Sequence, residues 1–522
     1  MKNVLDGFSF ENELSRLPPL AHPTSDTVHG QRVRLENLVQ KHKLALSPMR
    51  RLPTEILSYI FIFLQQSLAP HDHELYAGSA ESLLDVGKGP SCQRGLGGLT
   101  KVCKKWRRVI LGTSSLWSRF RLHAGAPNPS PSSTIRRYRK TLENCLKRAR
   151  GQPLEFSFVT SGEGELEDAF RSTLLSYARQ WKRVWWESDT RDFWSIMKEL
   201  PFLEELIVAA PSWLEAHNTP FLSKSNAPSL KRIQFLVSGG SDIPAPSLQL
   251  PWSQLTDYRN FHADHELLSV LKSGSSLKVL HYYAHRSGRL DISQTSTIRH
   301  VQLQDFTFII GTPNLPEVLR YIQLPSLRVL RIGGARSRTQ FPNYLPELFP
   351  FLHASLCTLT TLHLTYTHGS NELMELLVNP VISSNLTELG MSLVEFDMDF
   401  SWRFLELLRI IPSDHSQTDD HRPFKTRLPR LQALLVKVIH ERHFRLLPFA
   451  HLLEAVYSRI DPLAPVASIR AFEFRTGDDW GDIDIQIHGL QRFSYLWAKT
   501  LLKVDINVVR IGSFDSSWDL FR

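Results

Sequence analysis

The sequence predicts an α/β protein in two parts: a small helical unit, then a long, irregular stack of repeated strand-and-helix segments. Three observations predict it. Two stretches, near residues 54–64 and 99–110, repeat apolar side chains at helical spacing. A proline- and serine-rich run, Ala124 to Ser133, follows them. Beyond that run, a short motif of alternating apolar residues recurs through most of the chain.

Taken in order, residues 1–30 are mixed and proline-containing, and are expected to be poorly ordered. Residues 31–47 read as one amphipathic helix, with Leu35, Leu38, Val39, His42 and Leu46 at helical spacing. Pro53 suits the first position of the next helix, and Glu55 falls in its first turn, where the dipole favours an acid. Ile56, Ile60 and Phe63 or Leu64 form one apolar stripe; Leu57, Phe61 and Leu64 form another, about 100° round. A short surface helix needs one stripe for its own domain, so a second stripe asks for a second partner. Residues 67–95 are rich in Gly, Ser and His and read as a loop insert. Leu99 to Ile110 reads as a second amphipathic helix, with Val102, Trp106 and Val109/Ile110 in register; Leu116-Trp117 follows. Residues 123–135, stiffened by three prolines, read as a linker that ends this unit.

The ordered set Leu52-Pro53-x-Glu55-Ile56-Leu57, Val102-Cys103-x-x-Trp106 and Leu116-Trp117 resembles an F-box. It is similar to the fungal (basidiomycete-type) version, where an arginine pair, here Arg50-Arg51, precedes the Leu-Pro and a long insert follows the first helix. The resemblance covers residues 48–122, under a fifth of the chain. It implies a three-helix F-box unit that docks on a Skp-type adaptor and, through it, on the cullin scaffold of an SCF ubiquitin ligase. The matching positions are Leu52, Pro53, Ile56, Leu57, Ile60, Phe61, Val102, Cys103, Trp106, Leu116 and Trp117. Some would pack the unit and others would meet the adaptor. Pro53 and the Leu57/Phe61 flank are expected on the adaptor, and Trp106 inside.

From 136 to 522 the chain repeats itself loosely. Four segments share P-x-L-x-x-Φ-x-Φ, with Φ apolar, beginning at Pro201, Pro228, Pro325 and Pro429. Copies without the proline begin at Leu277, Ile298, Leu359 and Leu386, and Leu255 opens a weaker one. Successive first Φ positions are separated by 27, 25, 22, 21, 29, 32, 27 and 45 residues. Most intervals lie near the roughly 20–29 residues of leucine-rich repeats. The implied fold is an irregular leucine-rich-repeat-like α/β solenoid, a horseshoe whose units bury together what none buries alone. Asn371 to Leu377 reads as a helix of the convex side, and the asparagine expected after L-x-x-L-x-L is missing from the clear copies.

Composition narrows the function. The longest strongly apolar segment, Ile56 to Leu64, falls far short of the roughly 20 residues that cross a bilayer, and Met1 to Gly7 lacks the apolar run of a secretion signal. Cys92, Cys103, Cys145 and Cys357 are widely spaced, which argues against a disulfide framework or a cysteine zinc site. A cytosolic or nuclear protein is expected. Net charge is +9, but residues 101–150 alone carry fourteen Lys/Arg and one acid, leaving the remainder at −4. Basicity thus belongs to one segment, which suits an acidic protein partner better than nucleic acid, for which no fold motif is present. His262/His265, His281/His285 and His440/His443 lack metal-ligand spacing, and no phosphate loop or nucleophile elbow is found. No catalytic residue, metal or cofactor is expected. The leading reading is a target-recruiting ligase subunit, ahead of an F-box scaffold outside degradation and a nucleic-acid binder using 101–150.

Overall fold

The computed structural model describes residues 30, 32–38, 52–67, 85–86, 96–123, 132–160, 164–188, 199–210, 222–237, 250–260, 267–284, 296–310, 315–334, 343–409, 428–438, 449–459 and 471–476. Its frame is a 14-stranded sheet whose strands lie side by side in chain order. The first are β1 (Asp85–Val86), β2 (Arg119–His123), β3 (Leu154–Val159), β4 (Trp181–Glu187) and β5 (Glu205–Ala210). Then come β6 (Arg232–Val237), β7 (Asp257–Asn260), β8 (Val279–Ala284), β9 (Ile298–Arg299) and β10 (Asp305–Ile310). The series ends with β11 (Ile322–Gln323), β12 (Val329–Gly334), β13 (Thr361–Gly369), β14 (Glu388–Phe396), β15 (Ala433–Val438) and β16 (Ala471–Thr476). Among these, β9 and β11 stand apart from the large sheet and pair with each other. Every pairing is parallel, so each connection must travel back before the next strand begins. Helices Leu267–Ser273, Leu345–Ser355, Asn371–Val378 and Met398–Leu408 lie in those return segments.

The recurrent motif explains the sheet. In each rung the first Φ residue turns the chain inward and the next two, on the strand, point to the same side. Leu203, Leu230, Leu277, Leu327 and Leu431 are fully buried, as are Leu206, Ile233, Leu280, Leu330 and Leu434 one step on. They belong to one apolar core that is continuous from Leu57 to Val456. The weaker copy places Asn260 in that core, where its amide donates to Tyr258 Oη at 2.9 Å.

Side-chain hydroxyls link neighbouring rungs. Ser229, Ser276 and Ser326, each just before a first Φ residue, donate to the carbonyls of Pro201, Ser253 and Val301 one rung back, at 2.8, 2.7 and 2.6 Å. Thr360 and Thr387, each just after one, donate to Arg328 O and Thr360 O at 3.1 and 3.0 Å. Hydroxyls thus tie adjacent turns, and Arg328 O and Thr360 O also accept backbone N–H groups of the next rung.

The structure corrects several expectations. The rung expected at Ile298 is instead Leu303-x-x-Phe306-x-Phe308, with all three side chains buried; Ile298 belongs to the small outer pair and Val301 is exposed. With Leu303 in place, the steps from Leu277 and on to Leu327 become 26 and 24 residues, closer to their neighbours. The ladder also starts earlier. Trp117-x-x-Phe120-x-Leu122 and Trp181-x-x-Val184-x-Trp186 are rungs whose first position is tryptophan, and Leu154, Phe156 and Phe158 form another between them. The insert 67–95 is not all loop: Asp85 and Val86 pair with Arg121 and Leu122, and the next helix begins at Leu96. The linker range 123–135 contains the end of β2 and a helix start at Ser132. Of the 31–47 helix, residues 32–38 are helical; the rest, like most of 1–30 and the chain beyond 476, lies outside the described residues.

The sheet's other face carries charge in alternating sign. Arg119–Glu155, Arg183–Glu205, Glu205–Arg232, Arg232–Asp257 and Asp305–Arg331 bridge neighbouring strands at 2.8–3.7 Å. Opposite charges facing across strands stabilise by roughly 0.2–1 kcal/mol each. His363, buried in the same face, lies 2.7 Å from Glu388 Oε1. Burial lowers the His363 pKa against the opposing pull of Glu388, while the His363 bond holds Glu388 below the ordinary carboxylate range. The folded imidazole therefore binds a proton less readily than the unfolded one. The stability this contributes is complete above the ordinary value of 6.5 and shrinks as pH falls below it.

Between pH 7.5 and 5.5 the urea midpoint should accordingly fall further for the wild-type chain than for His363→Gln, and equal falls would refute the assignment. A second test concerns Gly333, where an added methyl carbon would meet Thr365 Oγ1 at 1.6 Å. Gly333→Ala should cost about 1–3 kcal/mol by urea denaturation, with part recovered when Thr365→Ala removes that oxygen.

Candidate functional site

The site is built on helix α1 (Thr54–Ser67); α2 (Leu96–Val102) packs on α3 (Lys104–Gly112), and α1 packs on α3 and on the turn Ser114–Trp117. Pro53 precedes α1 and its carbonyl accepts the first helical bond, from Leu57 N at 3.1 Å. Glu55, exposed in the first turn, is held below the usual carboxylate range, mainly by its own backbone N–H and then by the Thr54 hydroxyl.

The two stripes of α1 have different fates. Leu57 and Phe61 are buried inside the chain, and Phe61 meets Trp106 edge-to-face with ring centres 5.0 Å apart. Gln65, next along the stripe, is buried too; its amide donates to Leu116 O and Arg119 O, both at 3.1 Å. The expectation that the Leu57/Phe61 flank faces outward is therefore corrected: that flank holds α1 to its own domain. The other stripe faces out. Pro53 and Ile56 are exposed, Ile60 is half-buried, and Tyr59 and Phe63 are 69% and 68% exposed. Leu64 extends the stripe. Single exposed apolar residues are ordinary on a monomer, whereas here they form a row along one helix flank.

Around α1 the remaining positions divide. The second helix is broken at Cys103, whose extended backbone caps α3 while its sulfur accepts from Trp106 N at 3.4 Å. The break takes Val102 out of register with Trp106 and leaves it 57% exposed. Cys103, Trp106 and Leu52 are half-buried. Lys105 Nζ donates to Leu52 O at 2.5 Å, which brings the start of α3 against the start of α1. Leu116 and Trp117 are buried. Trp117 Nε1 donates to Ile110 O at 2.8 Å, and the Arg148 guanidinium lies over its ring at 4.5 Å. Trp117 is also the first member of the β2 rung, so one side chain belongs to both the helical unit and the sheet.

Sequence reasoning left out Tyr59 and did not carry Phe63 into the site. The signal was available, since 56, 59/60 and 63 share one helical flank. Among the described residues no group of three His, Cys, Asp or Glu side chains is arranged to hold a metal ion, and no helix is long and apolar enough to cross a membrane. His281 lies buried on β8, 3.8 Å from Asp305; His262, His265, His285, His440 and His443 lie outside the described residues.

Residues 49–123 match the family model described as F-box-like, about one residue in seven of the chain. The chain therefore carries an F-box-like domain. No curated protein matches the chain.

Trp117→Phe tests the joint between helices and sheet. It removes the bond to Ile110 O and vacates buried volume, and should cost about 1–3 kcal/mol by urea denaturation. An unchanged midpoint would mean that the joint lies elsewhere.

Proposed function

We propose that this chain is a target-recruiting subunit of an SCF-type ubiquitin ligase. Its F-box-like domain docks on a Skp-type adaptor through the outward flank of α1, and the remainder of the chain holds the target protein. The observation that carries this reading is the exposed row Pro53, Ile56, Tyr59 and Phe63 within the residues that match the F-box-like model. Apolar side chains of this size are each worth about 1.5–3 kcal/mol when fully buried, so the row supplies the core of a stable interface. The mechanism is proximity. The chain makes and breaks no bond itself, and raises the concentration of a target near a charged ubiquitin carrier. It works without a cofactor, in the cytoplasm or the nucleus.

The target-binding part is read as a leucine-rich-repeat-like horseshoe of the fungal F-box type. Support comes from the strict chain order of the parallel strands and from the steps of 22–27 residues through rungs 203 to 327.

Ile56→Asp together with Phe63→Asp should abolish co-purification with a Skp-type adaptor while leaving the urea midpoint within about 1 kcal/mol of wild type. Leu57→Ala should instead lower stability by about 2–5 kcal/mol. Full adaptor binding by the folded double variant would overturn the reading.

A further inference from the structure

We infer that the solvent face of the helix after β2 binds nucleic acid through its phosphate backbone, without reading base sequence. This activity is separate from adaptor docking and uses none of the residues on which that reading depends.

Helix α4 (Ser132–Ala149) returns the chain from β2 to the start of β3. Residues 101–150 hold fourteen Lys or Arg, and half of them lie within 132–150. Leu142, Cys145, Leu146 and Ala149 are buried in the main core, and Ile135 and Tyr138 pack against it. The apolar side of α4 is thus used inside the chain. Nine of its residues are exposed: five are Lys or Arg, four are Ser, Thr or Asn, and none is apolar. Arg136, Lys140 and Lys147 fall within an arc of about 40°, along about 16 Å of helix. Among the described residues these three enter no ion pair. Glu143, the one carboxylate of α4, is held by Arg139 at 3.1 Å. The helix packed beside it, Glu165–Leu175, brings three acids. Asp168 is held by Arg171, and Glu167 is buried where the Thr160 and Ser188 hydroxyls donate to it, at 2.7 and 2.6 Å. Only Glu165 is then left to set against the stripe.

The make-up of this face decides which anion fits. Protein interfaces are anchored by buried aromatic or aliphatic side chains and are poor in lysine at their centre. The face of α4 has no such anchor, and exposed ion pairs by themselves contribute little. A phosphate backbone asks for the opposite: cations in a row, with small hydroxyl and amide groups among them. Its binding free energy comes from releasing condensed counterions, which needs no apolar contact. A duplex carries about one negative charge per 1.7 Å of axis, so each cation of the stripe meets phosphate. The turn Ser114–Trp117 and the helix Glu165–Leu175 both pack against α4, which keeps it from entering a groove, so contacts stop at the backbone. A lipid surface fits less well, because a helix lying on a membrane sinks its apolar face, and that of α4 is in the core. Charge read along the sequence favours an acidic protein; on α4 the folded surface reverses that preference.

The test uses the full chain, short labelled DNA and RNA duplexes of one sequence, and unlabelled polyglutamate, read by fluorescence anisotropy. The dissociation constant should rise at least about fortyfold between about 0.05 and 0.2 M NaCl, as three phosphate contacts require. This response with either duplex supports the inference, and the tighter arm tells DNA from RNA. R136A/K140A/K147A should weaken binding at least about tenfold at low salt, equally for unrelated sequences, and lower the logarithmic salt slope by about three. Lys140→Ala alone should weaken it about threefold and lower the slope by about one. All three side chains are exposed, so the urea midpoint should not move. No duplex binding at the lower salt overturns the inference, and so does an unchanged affinity in the triple variant. K104A/R107A/R108A should bind as wild type does; loss there with the α4 variant unaffected moves the contact to α3 and overturns it too. Displacement of the duplex by polyglutamate at equal charge concentration makes the partner an acidic protein, and binding to anionic vesicles in place of either duplex makes it a membrane. Either result overturns the inference.

Discussion

Everything in this molecule hangs on one packing constraint: each rung of the ladder presents apolar side chains on one side only, and no rung can cover them by itself. Leu230, Ile233 and Phe235 of one rung are fully buried because the rungs beginning at Leu203 and Leu255 lie on either side. The rule repeats along the chain, which is why the strands stack in sequence order and why the core is continuous. Side-chain hydroxyls on the turns satisfy carbonyls that the ladder itself leaves open.

The helical unit obeys the same constraint at the ladder's beginning. Trp117 opens the β2 rung, and through its indole N–H it also fixes the end of α3. Leu57, Phe61 and Gln65 then lock α1 onto that joint. Helix α1 therefore has a fixed orientation relative to the sheet, and its outward row is presented rigidly. A surface held this way loses little conformational freedom when it binds, which favours a stable, stoichiometric partner. In the proposed function, the same rigidity would hold a target on the sheet at a set distance from an adaptor on α1.

Charge is divided in a way that follows from position. On the sheet's polar face, acids and bases alternate between strands and neutralise one another, from Arg119–Glu155 to Asp305–Arg331. On α2 and α3 the cations have no such acids in their own stretch of chain. An excess of +13 in one segment of a molecule of +9 is plain from the residue order. Which cations face the sheet's acids, and which face solvent beside α1, is a matter of where the strands and helices end up.

How much was legible follows from the range of the forces involved. The helix start at Pro53, the two stripes of α1, the F-box-like ordering of motifs and most of the rungs were set by residues close together in the chain, where periodicity is a sufficient guide. Local pattern failed where two local solutions competed. Ile298 and Leu303 both fit a rung, and only the latter offers three inward positions; Cys103 breaks a helix whose periodicity runs on through it. Tryptophan at the first rung position hid β2 and β4, because the pattern was sought in leucine. Residue order alone was enough to give α1 two apolar flanks and to show a short apolar motif recurring beyond residue 200. Which flank of α1 stays bare was settled in three dimensions, by Trp106 meeting Phe61 and the Leu116 carbonyl accepting from Gln65, both from some fifty residues away. Burial is a property of neighbours, and neighbours distant in sequence leave no trace in a helix's own periodicity.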